Sequence, residues 1–70
     1  MSTLTVDATV EGVMPGLGMA YLVGDDHRDW TVTRSTHGVG LESLKPGQRV
    51  HLTVEQHKRF AVVCDYAAAT

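Results

Sequence analysis

The stretch Gly40-Leu41-Glu42-Ser43-Leu44-Lys45-Pro46-Gly47-Gln48-Arg49-Val50-His51-Leu52-Thr53-Val54 decides the fold. Leu41 and Leu44 are three residues apart, which suits one helical turn that buries both side chains. Lys45-Pro46-Gly47-Gln48 follows as a turn: proline presets φ near −65°, and glycine accepts a positive φ. Val50, Leu52 and Val54 then alternate with His51, Thr53 and Glu55, the period of a half-buried strand. A helical turn, a Pro-Gly turn and an alternating strand, in that order, point to a small β-barrel.

Working outward, the same period recurs on both sides. Leu4, Val6, Ala8 and Val10 alternate with Thr3, Thr5, Asp7, Thr9 and Glu11, which predicts a first strand. Gly12 marks a bend or bulge, and Met14-Pro15-Gly16 breaks the pattern. Leu17 to Val23 is the second strand. Gly18, Ala20 and Leu22 suit a tightly curved interior, which leaves Leu17, Met19 and Tyr21 outside. The polar run Gly24 to Asp29 is a hairpin connection, and Trp30 to Arg34 alternates as a third strand with Trp30 and Val32 on one face. His57-Lys58-Arg59 is a charged tip, Phe60 to Tyr66 a last strand, and Ala67 to Thr70 a frayed end. The expected architecture is all-β: a five-stranded antiparallel barrel with one short helical turn after the third strand. Closing the sheet hides the edges that short sheets expose.

The totals narrow the function. Seventy residues make one domain, 1–70, with a small core. The net charge of −2 counts against a strong sequence-independent nucleic-acid binder, because lysine and arginine supply most of that affinity. A local basic patch still suffices for weak binding. No secretory signal opens the chain and no apolar run approaches the length of a membrane span, so neither export nor a membrane is expected. Cys64 is the only cysteine, which excludes an internal disulfide and points to the cytoplasm. By the usual habit of cysteine it is a small buried residue.

With these residues placed, the chain resembles the cold-shock domain family, whose members are small OB-type barrels. That family carries a glycine–aromatic–glycine–aromatic–aliphatic second strand, matched here by Gly16-Leu17-Gly18-Met19-Ala20. It also carries a glycine–aromatic–x–x–leucine–x–x–glycine–glutamine–x–valine segment, matched by Gly40 to Val50 with Leu41 in place of the aromatic. The third strand is matched by Trp30-Thr31-Val32-Thr33, which places Trp30 in the core or at the barrel rim. The resemblance implies an OB-type barrel that contacts single-stranded RNA or DNA through the face of strands one to three. The family's stacking positions fall on Leu17, Met19, Thr31 and Thr33; Tyr21 lies on the same face just beyond the motif, and Arg34, Lys58 and Arg59 are the cations expected to join them, Lys58 and Arg59 by reaching phosphates. Leucine, methionine and threonine stand where the family stacks bases on aromatics. Each stacked base is worth about 1–3 kcal/mol, so weak binding is expected.

The alternative is a barrel reused for protein contacts. The Leu17, Met19 and Tyr21 face is apolar and free of lysine, in keeping with a protein interface or a homodimer. Enzymatic activity is not expected and no cofactor is implied. His27, His37, His51 and His57 lack the spacing of a zinc site, and Asp25, Asp26 and Asp29 lack that of a calcium loop. Each reads first as a solvated surface group, with His51 on the outer side of its strand.

Overall fold

The alternation of threonine with aliphatic residues stops at Val10, but pairing of Gly12, Val13 and Met14 with the second strand carries the first strand further. The computed structural model describes residues 2–69, and in it β1 runs Ser2–Met14. There follow β2 (Met19–Gly24), β3 (Asp29–Thr33), a single 3-10 turn at Leu41–Ser43, β4 (Arg49–Gln56) and β5 (Ala61–Ala68). The sheet order is β3-β2-β1-β4-β5, with every neighbouring pair antiparallel. This is the five-stranded OB-type barrel that the alternation predicts, with its helical turn after the third strand.

The length of β1 lets the sheet curl. Its first half pairs with β4, from Ser2 opposite Gln56 to Thr9 opposite Arg49. Its second half pairs with β2, from Ala8 opposite Gly24 to Met14 opposite Met19. The register shifts between Val10 and Gly12, so Glu11 is the extra residue of a bulge at the position where Gly12 predicted one. The Pro-Gly turn anchors that bend: Gly47 N–H donates to Val10 O (2.8 Å), and Val10 N–H donates to Gln48 O (2.9 Å). Gly47 has φ +87°, which explains glycine there. The outer strands β3 and β5 face each other across an open groove of about 420 Å³ lined by Arg28, Thr31, Thr36, Ala61 and Val63 among others. Beyond it the chain closes through a parallel bridge between Gly38 and Tyr66.

The core is what the period dictates. Val6, Ala8 and Val10 of β1, Ala20 and Leu22 of β2, and Trp30 and Val32 of β3 point inward with Val50, Leu52 and Val54 of β4 and Tyr66 of β5. Leu41 and Leu44 join them from the 3-10 turn. Trp30 is therefore a core residue, 6% exposed, and its indole Nε1 has no hydrogen-bond partner among the described residues.

Four boundaries and one burial differ from the sequence expectation. Leu17 lies outside β2, because two successive turns close the β1–β2 hairpin: Leu17 N–H donates to Met14 O (3.0 Å) and Gly18 N–H to Pro15 O (3.1 Å). Arg34 lies just beyond β3. Phe60 precedes β5 and closes the β4–β5 hairpin by accepting the His57 N–H at 2.8 Å. The C-terminal residues are not frayed: β5 continues to Ala68, and Ala69 N–H donates to Arg49 O at 3.0 Å. Thr70 lies outside the described residues. Cys64 is exposed rather than buried. The register shifts between Thr53, opposite Asp65, and Val54, opposite Val63, so Cys64 is left unpaired at a second bulge that turns it outward. Its thiol contacts only Thr53 O, at 3.3 Å, among its hydrogen-bond partners. We expect the folded protein to react stoichiometrically with a bulky thiol reagent without denaturant. Labelling only after unfolding would contradict the bulge.

Candidate functional site

Cross-strand partners in an antiparallel ladder project to the same side. Three rows therefore build the outer face of β1, β2 and β3: Thr9–Val23–Asp29, Gly12–Tyr21–Thr31 and Met14–Met19–Thr33. This brings together four residues nominated from sequence, Met19, Tyr21, Thr31 and Thr33. Tyr21 is 46% exposed, and its hydroxyl lies 3.9 Å from Met19 Sδ. Leu17 stands apart at the hairpin tip, 72% exposed. Arg34 is committed to structure: its guanidinium donates to Pro15 O at 2.6 Å, and its backbone N–H donates to Gly18 O at 3.1 Å. It clamps the β1–β2 turn instead of offering its charge to a ligand. Glu11, Tyr21, Val23, Asp29 and Thr31 line a groove of about 400 Å³ on this face. Neither Glu11 nor Asp29 is in an ion pair among the described residues. The face is apolar in the middle and acidic at its margins.

Lys58 and Arg59 do not belong to that face. They occupy the β4–β5 hairpin tip, next to the pair Ser2–Gln56. The curl of the sheet sets this tip beside the β2–β3 loop, where Arg28, Gln56, His57, Arg59, Phe60 and Ala61 line a groove of about 300 Å³. The Arg28 guanidinium sits 4.8 Å from the centroid of the Trp30 ring, a cation–π contact. Phe60 is 59% exposed and stacks on His57, with centroids 4.6 Å apart and planes 21° from parallel. His57 Nε2 meets Glu55 Oε1 at 2.8 Å. Arg28, Lys58 and Arg59 are exposed and in no ion pair among the described residues. Sequence reasoning missed Arg28, His57 and Phe60 as site residues. The only local signal for them was their charge and aromatic character, because the two loops lie far apart in the chain.

Elsewhere three ion pairs stand on the surface among the described residues. Arg49 grips Asp25 with two hydrogen bonds of 2.7 Å and also donates to Thr9 Oγ1 at 3.0 Å. These hydrogen bonds, more than the bare charge, hold the Asp25 carboxyl below its ordinary value and push Arg49 up. A depressed carboxylate favours the folded state above its ordinary pKa, and that contribution fades as pH falls through the lowered value. In Arg49→Gln the Asp25 carboxyl carbon is expected to titrate higher, near a free aspartate; an unchanged midpoint would contradict the pairing. Asp7 pairs with His51 on the outer surface, and His37 meets Asp65 at 3.3 Å. Asp26 accepts the Arg28 backbone N–H at 3.1 Å. The described residues contain no group of three or more histidine, cysteine, aspartate or glutamate side chains placed to hold a metal ion.

Comparison with known proteins bears on the fold. The barrel is similar to that of CusF. Silver(I)-bound CusF matches with a TM-score of 0.68 at 14% identity, over 99% of this chain and 100% of that one. A second silver(I) structure of CusF, from Escherichia coli, gives 0.67 at 14% identity, covering 99% of this chain and 94% of the other. A copper(II) structure of an E. coli CusF tryptophan variant gives 0.66 at 14% identity, over 97% of this chain and 92% of that one. At this identity the likeness speaks for the fold alone. No family model matches the chain, and no curated protein matches its sequence. Among the described residues no helix is long and apolar enough to cross a membrane.

Proposed function

We propose that this domain is a cold-shock-like OB barrel that binds single-stranded RNA or DNA weakly, in the cytoplasm, at the rim formed by Arg28, Lys58, Arg59 and Phe60. The observation that carries this reading is the meeting of two unpaired arginines, Arg28 and Arg59, with an exposed aromatic stack in one groove, with Lys58 exposed next to Arg59 at the hairpin tip. Arginine and lysine neutralise phosphates, and Phe60 offers its ring to one base. One stacked base contributes about 1–3 kcal/mol, far less than a full aromatic platform, which keeps the binding weak. The β1–β3 face suits this role less well, because Glu11 and Asp29 repel phosphate there. The test is a low-salt amide NMR titration with an oligothymidylate. Shifts should cluster at Arg28 and from His57 to Ala61 and disappear as salt rises. No shifts at large oligonucleotide excess would end this reading.

One observation favours a second reading. Met14 and Met19 are cross-strand partners on the outer face, and thioether sulfur suits soft monovalent ions such as the silver(I) of the CusF structures. The pair does not suit copper(II), which favours nitrogen and oxygen donors. Silver(I) titration should perturb both methionine methyl signals if this reading holds. Identical silver binding by the Met14→Leu, Met19→Leu double variant would exclude it.

A further inference from the structure

The groove over Tyr21 is unused by the proposed nucleic-acid rim, and its chemistry is of the opposite sign. Its floor is β2, with Val23 and the exposed ring of Tyr21 facing outward. Its two margins carry carboxylates from different strands. Glu11 projects from the β1 bulge, and Asp29 stands opposite Val23 at the start of β3. They lie on the two strands flanking β2, so their backbones are about 10 Å apart, two strand spacings. Strict alternation would set Glu11 opposite Tyr21; the bulge gives that place to Gly12 and leaves Glu11 beside it, still lining the groove. Both carboxylates are exposed and in no ion pair among the described residues. A volume of about 400 Å³ lies within the range of small binding pockets.

We infer that this groove takes an arginine side chain from an extended basic segment of a partner protein. The planar guanidinium lies flat on an aromatic ring while its N–H groups reach carboxylates. Tyr21 supplies the ring, and Glu11 and Asp29 supply acceptors on either side. The methylene stem of arginine covers Val23. Lysine fits less well, because its compact ammonium is strongly hydrated and does not stack. An anionic partner is repelled by the same two groups. Charge complementarity therefore commits the face to a basic peptide, independently of the nucleic-acid rim.

The test uses an acetylated, amidated peptide of alternating valine and arginine and its citrulline counterpart, which keeps the shape and loses the charge. The arginine peptide should shift the amides of Glu11, Tyr21, Val23, Asp29 and Thr31. Its dissociation constant should rise at least fivefold in Glu11→Gln and in Asp29→Asn, and at least tenfold in Tyr21→Ala. All three residues are exposed, so the variants are expected to keep the parent circular dichroism spectrum. The inference fails if the citrulline peptide binds equally well, or if the Glu11→Gln, Asp29→Asn double variant binds the arginine peptide unchanged. Oligothymidylate titrated into the same variants separates this from the rim: a peptide result of either kind leaves shifts at Arg28 and Phe60 as they were.

Discussion

Tyr66→Ala is expected to remove most of the stability of the domain. Tyr66 is 2% exposed and is among the largest fully buried side chains. It lies opposite Leu52, and Gly38 packs so closely on it that a Cβ there would fall 2.5 Å from Tyr66 Cδ1 and 2.6 Å from its carbonyl oxygen. The ring thus fills the core at the only backbone bridge joining the loop after β3 to β5 among the described residues. Truncating a buried aromatic to alanine costs about 3–5 kcal/mol. A domain this small lies near the lower end of the usual stability range of about 5–15 kcal/mol, so little is left. Urea unfolding followed by circular dichroism reads the effect directly. A slope of about 1 kcal/mol per molar makes the midpoint shift roughly 3 M or more. A shift below about 0.5 M would show that the ring does not carry the seam.

Tyr66→Phe separates the ring from the hydroxyl. The hydroxyl lies near the Gly40 backbone, and its loss is expected to cost about 1 kcal/mol at most. The same residue sets an alkaline limit. Burial raises the phenol above its ordinary value, the nearby Gly40 backbone pulls it down by less, and Glu42 adds a smaller upward push. The folded state therefore holds this proton more tightly than the unfolded chain does. Stability should be unaffected below the ordinary tyrosine pKa and fall as pH rises from there through the raised value. The alkaline fall should be absent in Tyr66→Phe; its persistence would assign it to another group.

Removing the three rim cations together is the second large effect. On a single strand each neutralised phosphate contributes about −0.7 to the slope of log affinity against log salt, so three contacts predict a slope of about −2. The Arg28→Ala, Lys58→Ala, Arg59→Ala variant should flatten that slope to near zero and weaken oligothymidylate binding at low salt by at least a hundredfold. All three side chains are exposed, so stability should change little. A retained slope in the triple variant would place the phosphates elsewhere on the barrel.

The contrast between the two faces shows where sequence reasoning reaches. Met19, Tyr21, Thr31 and Thr33 were legible as neighbours because each follows from strand period and one hairpin register. Arg34 was legible as a cation but not as a clamp: its use depends on Pro15 O and Gly18, across the hairpin from it. Lys58 and Arg59 were legible as a basic tip, while their neighbour Arg28 was not, because nothing local ties residue 28 to residue 59. Cys64 was misjudged because the usual burial of cysteine carries no information about the bulge that turns this one outward.

The sequence by itself determined the strands, the inward set from Val6 to Val54, the Pro-Gly turn, the 3-10 turn and the bend at Gly12. All of these rest on a period of two or on the φ preferences of single residues, which neighbours in the chain express without help. The tertiary structure alone decided which loops meet, which charges are already paired and which side of the barrel is acidic. Those outcomes depend on the curl of the sheet and on two bulges, and a shift of one residue in either redirects the side chains beyond it.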